Sequence, residues 1–81
     1  MKLPRDVSGT MLIAALRQAY GYQKIHQVGS HVILEAAGPH KHRLCVPDHK
    51  ALRVGTLDSI LRAVSESHGL SKEQTVHDLF G

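Results

Sequence analysis

The chain has 81 residues, 42% of them hydrophobic and only 4% aromatic, with ten Lys and Arg against seven Asp and Glu, seven His and one Cys. That length suits one small domain over residues 1–81 and excludes two, and the shortage of aromatics leaves aliphatic side chains to build the core. A lone cysteine excludes an intramolecular disulfide, no apolar run approaches the roughly 20 residues of a membrane span, and the mildly basic balance suits a polyanion or an acidic partner.

The opening MKLPRDV is a short lead-in with a proline and without the apolar stretch of a signal peptide, so a cytoplasmic location is expected. Ser8 can cap a helix whose apolar positions are Leu12, Ile13, Leu16, Ala19 and Tyr20. Gly21 is its left-handed stop, and Arg17 and Gln18 fall on the wet side.

From Tyr22 the pattern changes. Tyr22 to Val28 mixes β-prone and polar residues, Gly29-Ser30 makes a tight turn, and His31 to Ala36 resumes in extended style, which reads as a hairpin. AAGPHKH is a second turn centred on Gly38-Pro39, and Arg43 to Val46 is a third strand ended by Pro47. A polar and basic connection, DHKALRVGT, then leads to Leu57, Ile60, Leu61 and Val64, spaced as one face of a second helix that His68-Gly69 closes. Ser71 to Gln74 has the S-x-x-Q form of a capping box, with Leu70 as a staple, so a short helix carrying Val76, Leu79 and Phe80 should dock back. The expected fold is α+β, in the order α-β-β-β-α plus a short C-terminal helix, with helices on one face of a three-stranded antiparallel sheet.

Strand parity sorts the side chains. Val32 and Leu34 face opposite to His31, Ile33 and Glu35, and Leu44 and Val46 face opposite to Arg43 and Cys45. The more apolar set belongs to the core, which puts His31, Glu35 and Arg43 on the face away from the helices.

These residues resemble a known family. A first helix ending in Gly21-Tyr22, then GSH opening the second strand at Gly29 to His31, is similar to the HicA, or YcfA-like, toxins. The likeness continues through Val46-Pro47, His49-Lys50 and the GTLDSILR of Gly55 to Arg62, and covers roughly residues 5 to 70. It implies a fold like that of double-stranded-RNA-binding domains and a ribonuclease that cuts messenger RNA. It further implies a HicB-type antitoxin covering the active site, with the catalytic histidine carried over to His31. The chain departs from the family in its histidine-rich AAGPHKH turn and in a longer extension beyond Gly69.

The residues can support that chemistry. RNA is cut without a metal when its own 2′-hydroxyl attacks the adjacent phosphorus, which needs a base, a proton for the leaving oxygen and positive charge at the phosphorane. His31 suits the base, since histidine ordinarily titrates near 6.5, and Gly29 and Ser30 let a sugar-phosphate backbone approach. Lys24, Arg43, Lys50 and Arg53 can supply charge, the last two beside the start of the second helix. The second proton-transfer group is His49, His42 or water. Glu35 reads as a strand-edge charge and Cys45 as a small core-edge residue. His40-Lys41-His42 with His49 falls short of the ligand spacing of a zinc site, so neither a metal nor another cofactor is expected. The rival readings are a non-catalytic RNA-binding module of the same fold and a protein-interaction subunit using its open sheet face.

Overall fold

Ser8 and Gly21 bracket the first helix as their residue types demand. In the computed structural model of the chain, which describes residues 3–36 and 41–81, α1 runs Gly9–Tyr20. Ser8 Oγ accepts from the Met11 N–H at 3.0 Å, which satisfies one amide of the exposed first turn. Leu12 and Leu16 are wholly buried and Ile13 and Tyr20 half-buried, but Ala19 is exposed. The buried stripe is narrower than its apolar positions, because only the Gly9–Leu12–Leu16 line is fully covered.

Three strands follow, β1 (Gln23–Val28), β2 (His31–Glu35) and β3 (Arg43–Pro47), paired antiparallel in the order β1-β2-β3. Pro47 is the last residue of β3 rather than the residue after it, which an edge strand tolerates because no ladder partner needs its missing N–H. The expected turn at Gly38-Pro39, with His40, lies outside the described residues. Parity holds in β2 and β3: Val32, Leu34, Leu44 and Val46 are buried, while His31, Arg43 and Cys45 are exposed. β1 behaves differently, since every one of its residues is exposed. Its register also slips: Lys24 pairs with Leu34 but His26 with Ile33, so Ile25 is an extra, bulged residue.

The helix α2 (Val54–His68) buries Leu57, Ile60, Leu61 and Val64, the four positions that its spacing predicts. These meet Leu12, Leu16 and the inner face of the sheet in one cluster that includes Tyr22. Fully burying one such aliphatic side chain contributes about 1.5–3 kcal/mol.

The last helix, α3 (Lys72–Phe80), starts at Ser71, whose Oγ accepts from the Gln74 N–H at 3.1 Å. The capping box is only half made. Gln74 Nε2 donates to Asp78 Oδ1 at 2.7 Å, one helical turn on, instead of reaching back to Ser71. Val76, Leu79 and Phe80 pack against the core half-buried, and the residue buried outright is Thr75. Its hydroxyl sits 2.8 Å from that of Ser65, so the α2–α3 contact has a satisfied polar pair at its centre. Lys72 pairs with Asp58 and ties the same two helices at the surface, while Arg62, one turn on within α2, pairs with the other oxygen of that carboxylate.

Candidate functional site

The β1–β2 turn sets the geometry. Val28 pairs with His31, which leaves Gly29-Ser30 as a two-residue connection. Gly29 has φ +58°, the sign that a type II′ hairpin turn needs at its first central residue. A Cβ there would meet no protein atom within 4 Å, so the backbone conformation explains this glycine, not crowding within the fold. Gln27 Nε2 donates to the Gly29 carbonyl at 2.9 Å and steadies the turn.

His31 therefore sits in the ladder between Val28 of β1 and Pro47 of β3, with its side chain exposed. Behind it on the same face come the rows His26–Ile33–Cys45 and Gln23–Glu35–Arg43. Cys45 is exposed and its sulfur lies 3.4 Å from His31 Nδ1. The expectation that Cys45 would be a core-edge residue is corrected: Leu44 and Val46 take the inward positions of β3 and leave it on the open face.

The loop after β3 closes on the same turn. The Asp48 N–H donates to the Ser30 carbonyl at 2.6 Å, and His49 Nε2 lies 3.3 Å from Ser30 Oγ. The start of α1 clamps this loop from behind. The Gly9 N–H donates to the His49 carbonyl at 2.8 Å, and Thr10 Oγ1 donates to Asp48 Oδ1 at 2.8 Å. A Cβ on Gly9 would stand 2.2 Å from the Pro47 carbonyl oxygen and 2.6 Å from Asp48 Cα, so no side chain fits there without moving the loop. His49, Arg53 and Thr56 line one hollow. Arg53 is the N-cap of α2 and makes no side-chain capping bond, which leaves the amides of the first turn without a side-chain cap among the described residues, and Lys50, three positions earlier, is exposed.

Gly29, Ser30, His31, His49, Lys50 and Arg53 thus gather around one end of the sheet. Three other candidates do not. Simple alternation back from Val28 would put Lys24 on the face of His31, but the Ile25 bulge turns it to the helix side. There its ammonium donates to Gln27 Oε1 at 2.6 Å, in a hollow shared with Arg17 and Asp48. Arg43 stays on the open face, four residues of strand from the row of His31, or about 13 Å. Its Nε donates to Glu35 Oε2 at 2.9 Å, which engages part of its charge.

His42 belongs to a different cluster. The Tyr22 hydroxyl lies 2.9 Å from His42 Nδ1 and 3.1 Å from His68 Nε2. A phenol has one proton to donate, so at least one of these rings must present its own N–H. Burial pushes the Tyr22 hydroxyl up to about 12. Burial, and then the neighbouring His68, lower the proton affinity of His42. Tyr20 stacks on His68 with ring centroids 4.8 Å apart and donates to Asp78 Oδ2 at 2.8 Å. Burial first, and then that bond, raise the Tyr20 hydroxyl to about 12, while the hydrogen bonds from Tyr20 and Gln74 hold the Asp78 carboxyl below its usual range. Among the described residues no group of three or more His, Cys, Asp and Glu is placed to hold a metal ion. None of the described helices is long and apolar enough to cross a membrane.

Sequence reasoning missed the contact of Cys45 with His31 and the clamp of Gly9 and Thr10 on the Pro47–His49 loop. Parity puts Cys45 and His31 on one face, but only the pairing register brings them to adjacent rows. Compared with known proteins, the chain matches a family model described as HicA toxin of bacterial toxin-antitoxin over residues 9–65, from the start of α1 into α2, with α3 outside the match. No curated protein and no solved structure matches it.

Proposed function

Because the chain belongs to the HicA toxin family of bacterial toxin–antitoxin systems, we propose that it is an endoribonuclease acting on messenger RNA in the cytoplasm, with His31 as catalytic base. Family membership implies an antitoxin partner, and on this reading the partner is a HicB-type protein that covers His31. The fold is then of the double-stranded-RNA-binding type.

The observation that carries this proposal is that His31 directly follows Ser30 in the chain while His49 reaches the Ser30 hydroxyl, so two exposed histidines stand at one end of the sheet. His31 Nε2 takes the proton of the 2′-hydroxyl as that oxygen attacks phosphorus. The 2′,3′-cyclic phosphate forms as the bond to the 5′-oxygen breaks. His49 gives the leaving oxygen its proton, which returns the pair to its starting state after exchange with water. His49 is preferred over His42 as the donor because His42 is bonded to Tyr22 at the far end of β3. Lys50, Arg53 and the uncapped start of α2 face the developing charge on phosphate, and Gly29 and Ser30 line its approach. Arg43, at the far end of the open face, is left to hold the strand beyond the scissile bond. Lys24 lies across the sheet and is not needed for the cut.

The test is cleavage of single-stranded RNA by the purified protein and its His31→Ala variant in excess chelator. The expected result is wild-type cleavage leaving 2′,3′-cyclic phosphate ends, and a variant that binds RNA but cleaves it about 10²–10⁴-fold more slowly. Equal rates would remove His31 from the mechanism. Binding without cleavage by the wild type would leave a passive RNA-binding module, and neither activity would leave a protein-interaction subunit.

A further inference from the structure

We propose that Cys45 is a positioning residue for His31: its sulfur engages Nδ1 of the imidazole and so makes Nε2 the nitrogen presented to RNA. The proposal rests on the nuclease reading for its purpose, but not for its geometry. His31 stands opposite Pro47, and Cys45 stands opposite Ile33 one row further in, so the two are diagonal neighbours across β2 and β3. Diagonal neighbours on a sheet are roughly 7–8 Å apart, with their Cβ atoms somewhat closer, a span that two short side chains bridge only when one leans toward the other. The 3.4 Å separation of Sγ and Nδ1 is reached because the His31 ring leans inward along the open face toward Cys45. Both backbones are fixed in the ladder, so the lean sets the ring's direction. Cys45 supplies the one side-chain hydrogen bond of His31 among the described residues, and the row neighbours Val28 and Pro47 have no polar side-chain group with which to compete.

The consequence is a choice of tautomer. A neutral imidazole carries one N–H and one bare nitrogen. With the proton on Nδ1, that N–H donates to the Cys45 sulfur and the lone pair on Nε2 is free to take the 2′-hydroxyl proton. Once Nε2 has taken it, the imidazolium keeps the Nδ1–H to sulfur contact and the ring does not need to turn. The opposite arrangement, with the thiol donating to Nδ1, places the imidazole proton on Nε2 and leaves no base facing RNA. Holding the imidazole by the nitrogen that does not react is how a neighbouring group orients a catalytic histidine. A thiol does this weakly, so the expected effect on rate is modest.

The experiment reads the ring directly. In ¹⁵N-labelled protein without RNA, at a pH where the imidazole is neutral, the His31 ring nitrogens should report the Nδ1–H tautomer as the major form. Cys45→Ala, at an exposed position, should shift it toward a mixture, and Cys45→Ser, which keeps a polar group at the same place, should restore it. In parallel, Cys45→Ala should lower kcat for RNA cleavage roughly two- to tenfold, the worth of one neutral hydrogen bond, with KM unchanged and recovery in Cys45→Ser. A tautomer ratio unaltered by Cys45→Ala, or an Nε2–H form dominant in the wild type, overturns the proposal. So does a Cys45→Ala enzyme with the wild-type kcat. If the tautomer responds while the wild type cuts no RNA, the ring-holding stands and the nuclease reading is what fails.

Discussion

At one end of the three-stranded sheet, His31 and His49 stand exposed around the Gly29-Ser30 turn, each with one contact to a small polar side chain. At the other end, His42 and His68 share the buried Tyr22 hydroxyl, and His68 is stacked under Tyr20. The residue type is the same and the surroundings are opposite. A histidine whose ring nitrogen and faces are taken up by neighbours contributes to packing and polar satisfaction. One that is anchored by its backbone and otherwise open keeps a nitrogen for a substrate. Counting histidines does not separate these uses; their partners do.

The sharpest way to break the comparison is to remove one histidine from the open end. His31→Ala should cost about 10²–10⁴-fold in RNA cleavage while leaving stability within about 0.5 kcal/mol, as expected for an exposed side chain. A urea unfolding midpoint well below that of the wild type would mean that His31 serves the fold after all.

Gly9→Ala probes what holds the open end in place. The new methyl would meet the Pro47 carbonyl oxygen and Asp48 Cα, which are backbone atoms with little freedom to yield. A destabilisation of about 1–3 kcal/mol is expected, with a loss of cleavage as the His49 loop moves away from Ser30. Unchanged stability together with unchanged cleavage would show that the clamp can relax at no cost.

At the closed end, Tyr22→Phe leaves His42 and His68 facing a ring without a hydroxyl. Chemical denaturation should show a loss of about 1–3 kcal/mol, with the cleavage rate per folded molecule at its wild-type value. A specific loss of rate in the folded fraction would join the two ends that the structure keeps apart.

The smallest effect is the pH response of His42. Its proton affinity is lower in the folded protein than the ordinary value of 6.5, because burial and His68 disfavour the cation. The unfolded chain therefore binds the extra proton first as pH falls. The stability that neutral His42 contributes is complete above about 6.5 and is lost as the pH drops through the lower folded-state value. The urea midpoint should fall between pH 7.5 and 5.5 by less in His42→Gln than in the wild type. An identical fall in both would assign the acid sensitivity elsewhere.

Most of the architecture was legible in the chain because its signals are local. Ser8, Gly21, Gly69 and Ser71 mark helix ends through their own hydrogen bonds and dihedral angles. The Leu57, Ile60, Leu61 and Val64 spacing reports a single buried helix face, and alternation in β2 and β3 sorts Val32, Leu34, Leu44 and Val46 from His31, Arg43 and Cys45. The family was legible too, through GSH and GTLDSILR in order. The candidate site was legible only in part. Alternation groups Lys24 with His31, because nothing in QKIHQV announces that Ile25 bulges and reverses the face of everything before it. The sequence ranks His42 equal to His49, because nothing local shows that the Tyr22 hydroxyl, 20 positions from His42 and 46 from His68, gathers those two imidazoles at the closed end.

By itself, then, the sequence determined the order of the elements and the capped helix ends, the face on which His31 lies in β2, and membership of the HicA toxin family. The first two follow from periods and caps spanning a few residues, and the family from its motifs in order. Only the tertiary structure decided that His49 rather than His42 neighbours the Ser30 turn, that Cys45 reaches His31, and that Gly9 must be small. Each of these depends on the register and approach of segments far apart in the chain, which is set when the core closes and is written in no single stretch of residues.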